Sequence, residues 1–125
     1  MPGNTFAAWM DGGEMRDSDA LFEQFWNGFK LPDYFGWSFP ALNDCLRDLR
    51  WLAADQYTLL IEDAGKILSA DVEARLDFFG VLLRAGEHWG RVKAVEGTER
   101  ARFYIILECD EREFAGVRAV FDELM

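Results

Sequence analysis

At 125 residues, half of them hydrophobic and 15% aromatic, the chain has the size expected of one domain. Its apolar content is enough to bury a core without a disulfide or metal staple. Thirteen Lys and Arg against 23 Asp and Glu leave a net charge of −10. That balance argues against nucleic acid and against an anionic membrane surface as direct ligands, because both attract cationic side chains. It suits a basic protein partner drawn in by electrostatic steering.

In chain order, the short apolar run Thr5-Phe6-Ala7-Ala8-Trp9-Met10 predicts a buried strand, stopped by a turn at Asp11-Gly12-Gly13. Ser18, between Asp17 and Asp19, predicts a helix start. Leu21, Phe22, Phe25, Trp26 and Phe29 then recur at helical spacing until Asn27-Gly28 and Pro32 end the segment. Leu31 to Trp37 is a connection dense in aromatics, with Tyr34, Phe35 and Trp37.

A second helix is expected over 38–51, with Ser38 as N-cap and Pro40 tolerated in the first turn. Its wheel places Phe39, Leu42, Cys45, Leu46 and Leu49 inward, and Pro40, Asp44, Arg47 and Trp51 outward, with Asn43 at the edge. Tyr57–Ile61 predicts a second strand. A third helix is expected from Ser69-Ala70-Asp71 to about His88, with Val72, Leu76, Phe79, Leu82 and Leu83 inward. Phe103–Leu107 predicts a third strand. Phe114, Val117, Phe121 and Leu124 form the stripe of a C-terminal amphipathic helix, expected to pack on the rest of the chain. Continuous apolar strands separated by helices imply an α/β fold with a small three-stranded parallel sheet. Residues 89–102 form the one long unpatterned stretch, and they are locally basic.

Cofactor and catalytic signals are weak. Gly65-Lys66 resembles the end of a phosphate loop, but Leu60 stands where its first glycine belongs, and there is no G-x-G-x-x-G. His88 is the only histidine, and nothing places it beside Cys45 or Cys109 to activate a thiol. Three such residues spread over 65 positions make no metal site, so no metal or cofactor is expected. Glu62-Asp63, at the end of the second strand, sits where open α/β sheets bind ligands, which leaves a small hydrolase as a distant reading. Two cysteines are too few for a disulfide scaffold. Met1-Pro2-Gly3-Asn4 lacks the basic start of a signal peptide, and apolar runs stop at about five residues, far short of the ~20 needed to span a bilayer. The chain reads as cytoplasmic, with reduced thiols.

The specific signal lies between Leu31 and Leu49. Leu31-Pro32-Asp33-Tyr34-Phe35-Gly36, followed without a gap by Ala41-Leu42-Asn43-Asp44-Cys45-Leu46, resembles the signature of the barstar family, and the resemblance covers about residues 5–107. It implies a barstar-like fold, with residues 108–125 as a helical extension of the same domain. It also implies inhibition of a basic, barnase-type ribonuclease or a related toxin, bound one to one by a free monomer that needs no cofactor. In that family the loop and second helix plug the nuclease active site. The resemblance gives Tyr34 and Asp44 direct contacts, with Asp44 standing in for the scissile phosphate. The partner-binding set expected around them is Tyr34, Trp37, Ser38, Asn43, Asp44, Arg47 and Asp48. Phe35 and Phe39 belong to the core.

The chain departs from the family pattern at three positions. Pro40 stands where better-known members have a second interface aspartate. Asn43 replaces a tryptophan of the prototype, and Arg84 replaces a glutamate on the following helix. These departures imply a target with fewer cations in its site. They also keep open an alternative, a barstar-fold regulatory module whose protein partner is not a ribonuclease.

Overall fold

A parallel sheet decides where every other element sits. In the computed structural model, which describes residues 4–91 and 102–125, its strands are Thr5–Asp11 (β1), Gln56–Glu62 (β2) and Arg102–Leu107 (β3). They run in spatial order β1-β2-β3. The register stacks Phe6, Tyr57 and Phe103 in one row, Ala8, Leu59 and Ile105 in the next, and Met10, Ile61 and Leu107 in a third. Because strand side chains alternate, these rows share one face, and that face carries the helices. Phe29 packs on Phe6 and Phe103, and Trp89 packs on Tyr57 and Phe103.

The expectation of fully buried strands is therefore half right. The opposite rows, Ala7–Thr58–Tyr104 and Trp9–Leu60–Ile106, are uncovered, and Trp9 is 71% exposed. A run of apolar residues does not reveal whether one face or both is covered. Most of the basic stretch between the third helix and β3, residues 92–101, lies outside the described residues.

Helix α1 spans Ser18–Gly28. Its N-cap is Asp17, one residue before the expected Ser18, and the Asp17 carboxylate accepts from the Ala20 N–H at 2.9 Å. Leu21, Phe22 and Phe25 are buried, and Phe25 stacks on Phe29 with ring centroids 5.7 Å apart. At the far end of the sheet Gly12 lies hard against the Asp63 carbonyl, where a Cβ would clash with backbone. A side chain there would separate the ends of β1 and β2.

Helix α2 spans Phe39–Asp48, and α3 spans Arg75–Arg91 after a single 3-10 turn at Val72–Ala74. The helix starts four residues after the expected Asp71 and turns a different face inward, which corrects the expected inward face of the third helix. Val72 and Leu76 are exposed, while Ala74, Phe78, Phe79, Val81, Leu82 and Ala85 are buried. Arg75 anchors the start of α3: its guanidinium donates to the Ile67 carbonyl at 2.9 Å and to the Gly65 carbonyl at 2.6 Å. Among the described residues the core holds no polar or charged side chain. Each fully buried Phe or Leu contributes about 2 kcal/mol through burial.

Helix α4 spans Glu111–Leu124 and lies against α3, where Phe121 meets Phe79 at 4.8 Å. It packs on the rest of the chain, but its stripe is rotated from the expected one. Val117 is buried, and Val120, Phe121 and Leu124 pack on the core. Phe114 is 56% exposed and overhangs the ends of β2 and β3. The first turn of α4 rests on the 3-10 turn Ala64–Lys66, where Glu113 lies against Gly65, and its later turns rest on α3. Among the described residues no helix is long and apolar enough to cross a membrane.

Candidate functional site

Helix α2 is held at both ends and along its inner side, so its outer side is presented in a fixed frame. At the N-terminus Ser38 is the cap, its hydroxyl accepting from the Ala41 N–H at 3.2 Å. Pro40 occupies the first turn, where its missing N–H costs nothing. The residue before the cap, Trp37, adopts a left-handed backbone (φ 54°), as does Leu49 immediately after the helix (φ 55°). A non-glycine residue in that region costs about 1 kcal/mol or more, and packing holds both here. Trp37 packs at a tilt against Trp26 (5.3 Å) and Phe35 (5.4 Å), while Leu49 is fully buried.

The left-handed Leu49 ends the helix three residues earlier than the wheel assumed, so Trp51 is not on the outer face of α2. It is half-buried, and its indole N–H donates to the Phe29 carbonyl at 2.9 Å. A second indole, that of Trp89 on α3, donates to the Leu46 carbonyl at 2.8 Å. Inward, Leu42, Cys45 and Leu46 are buried. Burial pushes the Cys45 thiol pKa up, with the Asp44 and Asp48 charges adding to the effect, so this cysteine is a packed hydrophobe and not a nucleophile. Phe39 packs on Phe22 (4.9 Å) and Phe35 is buried, as the sequence indicated.

The loop 31–37 and the outer face of α2 bring the expected partner-binding residues into one surface. Tyr34 is 69% exposed and Trp37 is 45% exposed. Asp44 and Arg47 are exposed, Ser38, Asn43 and Asp48 half-buried. Asp48 pairs with Arg50 through contacts of 2.8 and 3.0 Å, not with Arg47 one residue away. Asp44 and Arg47 form no ion pair among the described residues. Two open clefts flank the Asn43–Asp44 step. One, of about 430 Å³, is lined by Phe39, Pro40, Asn43, Asp77 and Arg84. The other, of about 390 Å³, is lined by Asp44, Arg47, Asp48, Arg50 and His88.

Sequence reasoning did not place His88 or Asp77 here. Both lie on α3, and the register between α2 and α3 has no local signal in the sequence. Arg84 reaches across the same seam, donating to Asn43 Oδ1 at 3.3 Å. The surface is mixed in sign: carboxylates at 44, 48 and 77, guanidiniums at 47, 50 and 84.

The pair Glu62 and Asp63 does line a cleft, of about 540 Å³, together with Leu107, Glu108, Cys109 and Phe114. Among the described residues no group of three or more His, Cys, Asp or Glu side chains has the arrangement of a metal site, and both cysteines are unpaired thiols.

The parallel α/β scaffold thus holds a charged helix and an aromatic loop side by side at its surface. The family model of Barstar (barnase inhibitor) matches residues 5–108, and the chain belongs to that family. The family is one of inhibitors, not of enzymes. No curated protein matches the chain. The match takes in β1 through β3 with the loop and α2, and it ends before α4 begins.

Proposed function

We propose that this protein inhibits a basic ribonuclease of the barnase type, or a related toxin. In this reading the loop 31–37 and α2 occupy the enzyme's active site one to one, and Asp44 takes the place of the substrate phosphate. The observation that carries it is Asp44 itself: an exposed carboxylate with no ion-pair partner among the described residues, on a helix clamped at both ends, within the matched region. A carboxylate held ready in this way meets cations without first breaking a contact of its own. Tyr34 and Trp37 supply contact area beside it, and Ser38 acts mainly by holding the helix start.

The test is inhibition of a barnase-type ribonuclease by the parent and by Asp44→Ala. Asp44 is exposed, so folding stability should change by less than ~0.5 kcal/mol. Affinity should fall by about 2–5 kcal/mol, a range that rests partly on charge pairs of the barnase–barstar complex and carries over to this chain through its family. Tyr34→Ala should weaken binding less steeply, and Asp44→Asn should lower the salt dependence of association. Binding of Asp44→Ala within twofold of the parent defeats the phosphate-mimic mechanism.

A second reading, a partner that is not a ribonuclease, draws support from the three arginines on the same surface. An active site built only of cations would be repelled by Arg47 and Arg84. The same titration separates the two: a partner whose affinity depends on Arg84 more than on Asp44 favours the second.

A further inference from the structure

Parallel sheets are almost always covered on both faces, because crossover helices bury them and their strands are apolar throughout. Here the described helices lie on one face only. The other presents Ala7, Thr58 and Tyr104 in one row and Trp9, Leu60 and Ile106 in the next. Trp9 is 71% exposed, Ile106 48% and Tyr104 43%. This is a contiguous apolar platform, unlike the scattered single exposures normal on a protein surface.

The next row toward the strand ends is acidic. Asp11 pairs in register with Glu62, and Glu62 shares a cleft with Glu108. Like charges on neighbouring strands repel, and among the described residues none of the three has an ion-pair partner. Asp11 also accepts from the Gly13 N–H at 2.8 Å, and at the opposite end of the face Arg102 donates to the Tyr104 hydroxyl at 3.4 Å. With three carboxylates against one arginine, on a chain of net charge −10, the platform selects against a second copy of itself and for a cationic partner.

We propose that the uncovered sheet face is a second protein-binding surface, independent of α2, which takes a basic amphipathic helix from a partner protein. The helix would supply the missing layer of the α/β fold. Its apolar stripe would lie on Trp9, Leu60, Ile106 and Tyr104, and its Lys or Arg side chains would reach Asp11, Glu62 and Glu108. A helix running antiparallel to the strands would also bring its positive N-terminal end over the carboxylate row.

The experiment is an NMR titration of the full chain with an 18-residue amphipathic Leu/Lys helical peptide and with the same peptide carrying Glu for Lys. The Lys peptide should bind saturably at 1:1 and shift the amides of Ala7, Trp9, Thr58, Leu60, Tyr104 and Ile106. Trp9→Ser, at an exposed position that leaves the fold intact, should weaken binding about tenfold or more. Glu62→Gln with Glu108→Gln should weaken it by a smaller factor and flatten its salt dependence. Asp44→Ala should leave it unchanged, which separates this surface from the inhibitory one. The proposal is overturned by absence of saturable binding at millimolar peptide, by equal binding of the Glu peptide, or by binding that Trp9→Ser does not weaken. It is equally overturned if the free chain proves to be a dimer that Trp9→Ser dissociates, since the face would then belong to a second copy.

Discussion

Helices α2 and α4 are both short and amphipathic, yet they are held in different ways. The inner stripe of α2 is buried at Leu42, Cys45 and Leu46, a left-handed residue stands just outside each end, and Trp89 bonds the Leu46 carbonyl. The stripe of α4 is buried at Val117 alone, with Val120, Phe121 and Leu124 half covered and Phe114 in the open. A binding surface gains affinity when its groups are already in place, because ordering them on contact costs free energy. The clamped helix carries the charged contact surface within the matched region, and the loosely seated one follows after that region ends.

The sharpest way to break this contrast is to loosen α2 from within. Leu46 is fully buried, so Leu46→Ala should cost about 3–5 kcal/mol in chemical denaturation. It should also weaken partner binding although the residue cannot touch a partner. Wild-type affinity in a folded Leu46→Ala variant would show that the clamp does not preorganise the surface.

Removing α4 should do less. Truncation after Asp110 uncovers one face of Phe79 and loses one buried and three half-buried apolar side chains, about 5 kcal/mol of burial that the conformational entropy regained by the freed residues offsets in large part. Inhibition should be retained wherever the truncated chain stays folded. If stability is unchanged and a dimer becomes a monomer, α4 is an oligomerisation element instead.

The smallest effect lies at the start of α4. Two hydrogen bonds from Arg112, one from its side chain and one from its backbone N–H, hold the Asp110 carboxyl below its ordinary range. A depressed folded-state pKa means that the stabilisation is present above the unfolded value of about 3.9 and is lost as pH falls through the lower folded value. The protection of the first-turn amides of α4, measured against intrinsic exchange at each pH, should therefore fall on acidification below about pH 4. Asp110→Asn should flatten that dependence while keeping a cap. An unchanged pH profile in the variant would remove the charge from the account.

Much of this was legible from local pattern. The three strands, the inward face of α2 and the core roles of Phe35 and Phe39 follow from spacing and apolar runs, because burying those side chains dominates the energetics. The Leu31–Leu46 motif placed the candidate site, since a motif is read along the chain and this site is mostly one loop and one helix. Other features depended on contacts between segments distant in sequence. Leu49 turns left-handed because its side chain is held in the core, and that took Trp51 off the helix. Val72 falls in a 3-10 turn ahead of α3, and α3 packs through Phe78, Phe79, Val81, Leu82 and Ala85, which leaves Val72 and Leu76 exposed. His88 and Asp77 joined the surface through the packing of α3 on α2. The open sheet face was decided last: a continuous apolar run fits a strand covered on both faces and one covered on a single face equally well, and only the placement of every described helix on one side left Trp9, Tyr104 and Ile106 facing water.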